Sequence, residues 1–225
     1  MLRMRRRTLL LAPLALPIAA RAQSTANSQA TTKPQATANP QDRADIARVE
    51  AYLNGVKTLH ARFLQVAPDG GTTEGQAWLQ RPGRMRFQYD PPSPFLLVGG
   101  HGLLVFHDSQ LKQTSNIPLG QTPLGLLLQD NLRLSGDVTV ARIARAPGQL
   151  QVTIYRTATP QDGQITLIFA DSPLVLRSWI VTDAQRRETR VTLYDAQVGG
   201  NFDQKLFEFV DPRFFQNNNG GNGSG

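Results

Sequence analysis

Between Trp78 and Pro92 the chain has few ways to fold. Pro82-Gly83 suits the centre of a tight turn, because proline pre-sets φ at the first position and glycine accepts a positive φ at the second. Beyond it Arg84, Met85, Arg86, Phe87, Gln88 and Tyr89 alternate strictly. On a strand that puts Met85, Phe87 and Tyr89 on one face and both arginines on the other. Pro91-Pro92 ends the strand, since neither residue can donate to a sheet ladder. The hairpin therefore turns a broad apolar face toward something. It is either the protein's own core, as half of any antiparallel sheet meets, or a ligand.

The rest of the chain supplies further strands. Upstream, residues 42–54 read as a helix with Ile46, Val49 and Leu53 on one face and Gly55 as its stop. Leu59, Ala61 and Phe63 alternate with His60, Arg62 and Leu64 in a strand, Asp69-Gly70-Gly71 is a hairpin turn, and 73–81 returns. Downstream, 95–98 and 103–107 are short strands flanking Gly99-Gly100-His101-Gly102, and 111–115 is another. Thr122-Pro123 opens a short helix with a hydroxyl cap and proline at its first position. Leu124, Leu126, Leu127 and Leu128 make that helix apolar nearly all round, so it is either a buried helix or a lid on the open face of a sheet. Strands follow at hairpin spacing over 138–144, 150–156, 165–169, 174–182 and 187–194, with a helical turn and a last short strand expected within 202–209. This pattern predicts one mainly β domain with a few helices over 42–215, built as a strongly curved antiparallel sheet or incomplete barrel.

Arg81-Pro82-Gly83-Arg84-x-Arg86-x-x-Tyr89 with a proline close behind resembles the signature of the periplasmic lipoprotein carriers, LolA and its relatives. The resemblance runs from Asp45 to about Arg213. It takes in Phe63-x-Gln65, Gly75 before Trp78, Leu97-Val98 with Gly102 ahead of Leu104-x-Phe106, Leu111-x-Gln113-Thr114, Pro123 before Leu126-Leu127-Leu128, Leu176-x-x-Trp179 with Asp183-x-Gln185, and Leu206-Phe207-x-Phe209. It implies an open half-barrel whose concave apolar face is covered by helices. It also implies a chaperone that binds lipoprotein acyl chains in an apolar cavity and shuttles them through the periplasm from the inner to the outer membrane. The ligand-binding residues it implies are Met85, Phe87, Tyr89, Leu97, Phe106 and Trp179 on the concave face, with Leu124 and Leu127 from the lid. Arg81 matches an arginine with which family members hold that lid closed, through its guanidinium and the carbonyls at the helix end. The implied partners are acylated lipoproteins, an inner-membrane ABC-type release complex (LolCDE) and an outer-membrane acceptor (LolB) or the outer membrane directly, with the carrier a monomer. Two other readings fit the same fold: a carrier of a glycolipid or hopanoid, and an envelope-stress sensor that binds a protein partner. Such sensors are typically longer, with a second domain for which nothing after Phe209 provides.

Three departures stand out. Met85 and Phe87 occupy positions where the family usually has two aromatic residues. Gly99-Gly100-His101-Gly102 replaces a Ser-Asp-Gly and is read as a looser connection. The extra C-terminal strand of some members is not expected here.

Residues 1–22 read as an export signal. Arg3, Arg5, Arg6 and Arg7 precede an apolar run, and Ala20-Arg21-Ala22 is a small-x-small cleavage site. Arg6-Arg7-Thr8-Leu9-Leu10 fits either a twin-arginine signal or an arginine-rich Sec signal. Residues 23–41 read as a disordered leader and 216–225 as a flexible Asn/Gly tail. Five of the 24 basic residues and none of the 17 acidic ones lie in 1–22, so the formal charge of +7 becomes 19 − 17 = +2 once they are removed. Nucleic-acid binding loses its electrostatic support. The remaining positive clusters, Arg84/Arg86 and Arg186-Arg187-Arg190, are read as solvated outer-face groups or as orienting groups at an anionic membrane. The chain has no cysteine, hence no disulfide and no cysteine for lipid anchoring. His60, His101 and His107 lack metal-ligand spacing, and no nucleophile elbow, phosphate loop or dinucleotide fingerprint occurs. The reading is a binding protein without cofactor or metal, not an enzyme.

Overall fold

The computed structural model describes residues 39–211. The expected export signal (1–22), the expected leader up to residue 38 and the expected tail (216–225) lie outside the described residues. Eleven strands form one antiparallel sheet: β1 (Thr58–Val66), β2 (Thr72–Gln80), β3 (Arg84–Tyr89), β4 (Phe95–Gly100), β5 (Leu103–Asp108), β6 (Gln113–Pro118), β7 (Val138–Ala146), β8 (Gln149–Arg156), β9 (Gly163–Ala170), β10 (Val175–Asp183) and β11 (Glu188–Val198). Their spatial order is β6-β5-β4-β3-β2-β1-β11-β10-β9-β8-β7. Two meanders thus lie side by side, stitched through β1 and β11, and β6 and β7 are edges that do not meet.

The curvature follows from ring contacts. β3 and β10 are four strand steps apart, roughly 19 Å in a flat sheet. Yet the rings of Phe87 on β3 and Trp179 on β10 meet edge to face at 6.1 Å between centroids. The sheet is therefore bent around an interior shared by both meanders. Close approach of strands is part of this packing: a Cβ on Gly75 would lie 2.1 Å from the Gln88 carbonyl oxygen and 2.8 Å from the Phe63 ring. Only glycine fits there.

The helix α1 spans Pro40–Gly55, starting two residues ahead of the expected boundary. Asn39 supplies the reason: its side chain accepts from the Asp42 N–H (2.7 Å), and Pro40 follows at the first helical position. Val49 and Leu53 are buried in the shared core. The Tyr52 ring meets Phe169 edge to face, while its hydroxyl accepts from the Leu176 N–H at 3.1 Å. At the other end Arg145 of β7 donates to Asp42 (2.6 Å) and Asp45 (2.7 Å). One apolar stripe and two polar anchors thus seat α1 across β7 to β10.

Four sequence expectations change. The strand expected at 111–115 is β6, Gln113–Pro118, because Asp108 Oδ1 accepts from the N–H groups of Gln110 and Leu111 (both 2.9 Å) and prolongs the turn. Gly99-Gly100-His101-Gly102 is not loose: Gly99 and Gly100 finish β4, and the connection is the two-residue turn His101-Gly102 with φ of 49° and 78°. The apolar helix after Thr122 is a 3₁₀ helix, Pro123–Leu128. Finally, after the 3₁₀ turn Gln204–Phe207 no strand forms among the described residues. Residues 204–211 instead lie against the outer side of β3 to β6. There the Leu206 carbonyl accepts from Arg86 (3.2 Å), Phe209 packs on the His107 ring, and Thr114 donates to Asp211 (3.3 Å). Arg86 is consequently half-buried rather than solvated, and burial pushes its pKa down.

Candidate functional site

Register, more than sequence alternation, assembles the interior face. The ladders place Ala77, Phe87, Leu97 and Phe106 in one row across β2 to β5, and Leu79, Met85, Gly99 and Leu104 in the next. A Cβ on Gly99 would lie 2.5 Å from the Met85 side chain, so that glycine makes the space in which Met85 is fully buried. Aromatic contacts then run without a break through the interior. Phe106 meets Phe95 at 5.3 Å, Phe95 meets Tyr89 at 5.9 Å, Tyr89 meets Phe63 at 5.1 Å, Phe63 meets Phe87 at 4.9 Å, and Phe87 meets Trp179. Tyr89 keeps its polar end satisfied by donating to Gln65 Oε1 (2.8 Å), and burial pushes its phenol pKa up to about 12.

The 3₁₀ segment Pro123–Leu128 lies over β8, β9 and β10 as a lid. It is short because it is doubly tied at its start. Thr122 accepts from the Gly125 N–H (3.1 Å) and donates to the Leu119 carbonyl (2.9 Å), and proline has no N–H to place. Leu126, Leu127 and Leu128 are buried, and Leu124 packs partly on the same core. Behind the lid the chain is fastened to α1. Asn54 exchanges two hydrogen bonds with the Leu132 backbone (2.8 and 2.9 Å), and Glu50 accepts from the Leu134 N–H (2.6 Å). Lys57 reaches Asp130 (3.2 Å).

Under the lid, between α1 and strands β1, β2, β10 and β11, lies an apolar cavity of about 30 Å³. That is room for one or two water molecules and not for an acyl chain. Of the expected ligand-binding residues, Trp179 and Leu127 line this cavity, as does Arg81. Met85, Phe87, Tyr89, Leu97, Phe106 and Leu124 lie on the surrounding interior face instead. Tyr52, Leu59, Leu79, Leu176 and Leu193 complete the walls. The alternation in β1 and β2 marks Leu59 and Leu79 as candidates. Nothing local marks Tyr52, whose role depends on where α1 docks.

Arg81 sits in this wall, mostly buried, and desolvation lowers its pKa to about 10 against an opposing attraction to Asp130. Its Nη1 has no hydrogen-bond partner among the described residues. The lid's terminal carbonyl, on Leu128, instead accepts from the backbone N–H of Gly83 (2.8 Å). The hairpin turn therefore does hold the lid, through its glycine.

The histidines are dispersed. His60 stacks on Trp78 (5.0 Å), His101 lies in the β4–β5 turn, and His107 bonds Thr114 (3.0 Å). Among the described residues no group of three His, Cys, Asp or Glu is placed to hold a metal ion, and no helix is long and apolar enough to cross a membrane.

An open antiparallel sheet with an apolar interior closed by a short lid is the architecture of a binding protein for apolar ligands. The family model described as "Outer membrane lipoprotein carrier protein LolA" matches residues 54–210. The chain is 36% identical over 182 residues to the outer-membrane lipoprotein carrier protein of Pseudomonas syringae pv. syringae, covering 76% of this chain and 86% of that one. It is 33% identical over 180 residues to that of Chromobacterium violaceum, covering 75% and 84%. Among solved structures it is similar to a LolA superfamily protein of Nitrosomonas europaea, with a TM-score of 0.42, 10% identity, and 74% of this chain and 97% of the other covered. The chain belongs to the LolA family of carrier proteins.

Proposed function

We propose that this protein is a periplasmic chaperone that takes the acyl chains of lipoproteins into the space its lid now fills and carries them from the inner to the outer membrane. One observation carries the reading: a continuous aromatic face from Phe106 to Trp179 lies under a lid of buried leucines, with a cavity too small for cargo while the lid is down. Burying one acyl chain contributes on the order of 10 kcal/mol at about 0.8 kcal/mol per CH₂. A carrier must also let go. Reseating Leu126, Leu127 and Leu128 recovers roughly 5–9 kcal/mol at about 1.5–3 kcal/mol per side chain, so closure of the empty protein offsets much of the affinity for one chain.

On this reading residues 1–22 direct export, an ABC-type complex loads the carrier at the inner membrane, and an outer-membrane acceptor or the membrane itself receives the cargo. No catalysis is involved. Depletion of the protein in its own host tests the reading: outer-membrane lipoproteins should accumulate in the inner membrane. Correct sorting without the protein would refute it.

Arg81 is the residue through which release is tuned. Arg81→Leu removes a poorly hydrated cation from the cavity wall, removes its attraction to Asp130 behind the lid, and adds apolar surface facing the cargo. The variant should load normally and transfer cargo to acceptor membranes about tenfold more slowly or worse, since an added leucine contact is worth about 1.5 kcal/mol or more. Transfer rates of loaded wild type and variant, compared at equal folded concentration, check this. Equal rates would remove Arg81 from the release step.

A further inference from the structure

Arg156, the last residue of β8, continues the inward-facing series Leu150, Val152 and Ile154, and its strand partner is the buried Val138. Its guanidinium consequently runs along the interior face and not into solvent. The lid lies directly over it: a Cβ on Gly125 would be 3.3 Å from Arg156 Nη2. Nε of Arg156 is buried without a hydrogen-bond partner, and no carboxylate lies within ion-pair distance among the described residues. At the lid's other end, Arg81 presents a second buried guanidinium nitrogen with no partner. Guanidinium groups are donors only, and a buried donor without an acceptor destabilises the state that contains it. Both ends of a wholly apolar lid thus rest beside donors that the empty protein leaves unanswered.

We propose that Arg156 is a cargo-head residue: when the lid lifts, its Nε–H and Nη2–H donate to the carbonyl oxygens that join acyl chains to the lipoprotein terminus. This rests on the carrier reading above and adds the polar half of the site. The apolar interior takes the chains, while Arg156 takes ester or amide oxygens at the rim from which they hang. Hydrocarbon chain length then contributes affinity, and the head group decides which lipid is held.

The probes that separate these contributions are a dipalmitoyl-ester lipopeptide, its dihexadecyl-ether analogue, which has matched chains but no ester carbonyls, and free palmitate. The purified protein is expected to bind the ester at least about tenfold more tightly than the ether, the value of one charge-assisted hydrogen bond. Arg156→Leu should bring that ratio close to one while leaving the ether's affinity nearly unchanged, and Arg156→Lys should restore part of it. Should Arg156→Leu fail to fold, Arg156→Gln carries the same expectation, because it keeps a polar side chain and shortens the reach. An unchanged ester-to-ether ratio in the variant, no preference in the wild type, or an Arg156-dependent preference for palmitate over the lipopeptide would each overturn the inference while leaving the carrier reading in place. Failure of the wild type to bind either lipopeptide would instead overturn the carrier reading itself.

Discussion

Met85→Glu is expected to lose about 3–5 kcal/mol of folding stability at pH 8, because it puts a carboxylate at a fully buried position ringed by apolar groups. No neighbouring cation compensates: Gly99 faces the site across the ladder, and the nearest rows carry leucine and phenylalanine. Burial raises the carboxyl's folded-state pKa above its unfolded value of about 4.3. The folded protein then holds a proton that the unfolded chain has released, so stability falls as pH rises through that window and returns as pH drops toward 4. Urea unfolding at pH 8 and pH 4.5 reads both effects. A stability loss below about 1 kcal/mol, with no pH dependence, would mean that the side chain at 85 reaches water and does not belong to the interior face.

Gly125→Ala is expected to unseat the lid. A Cβ there would lie 2.2 Å from the Leu119 carbonyl oxygen, which is fixed as the acceptor for both the Thr122 N–H (3.1 Å) and the Thr122 hydroxyl (2.9 Å). The methyl group cannot be housed without breaking that turn, and the three buried leucines beyond it lose their fixed start. The expected cost is about 2–4 kcal/mol in stability, together with stronger binding of an environment-sensitive hydrophobic dye to the native protein. The dye distinguishes lid release from general loosening, because a merely loosened sheet would also lower unfolding cooperativity. Unchanged dye binding with a native denaturation profile would show that the lid tolerates the methyl group and that its seat lies elsewhere.

What the sequence made legible was periodic or chemically singular. β3 follows from the alternation Arg84 to Tyr89, and the following Pro91-Pro92 stops it. The lid's beginning follows from Thr122-Pro123, where the cap is a local matter of one hydroxyl and one missing N–H. The lid's conformation did not follow, because Leu124-Gly125-Leu126-Leu127-Leu128 has no period that separates a 3₁₀ turn from an α-helix, and the decisive contact, Gly125 on the Leu119 carbonyl, is tertiary. Arg81 was singled out by its motif, yet the bond that fastens the lid comes from Gly83, a backbone donor with no sequence signature. Arg156 was invisible for a related reason. At a strand's end an arginine reads as a solvated terminus, and only the fold shows that the lid lies on it. Arg84 and Arg86 are alike in sequence, but the chain at 204–211 returns over Arg86 from far along the sequence.

The seam between the two meanders has a consequence for how the protein comes to exist. Every ladder but one joins strands that are consecutive in sequence; the exception is β1 with β11, where Phe63 faces Leu193. Each meander is local and can form quickly, whereas the seam must close a loop containing nearly the whole domain, a slow step because chain entropy is lost before any contact repays it. Leu59 and Leu79 come from one side of that seam, and Trp179 and Leu193 from the other. The cavity therefore has no precursor in either half: during folding, the site for greasy cargo is assembled last, and until then both halves expose the apolar faces that the finished protein hides.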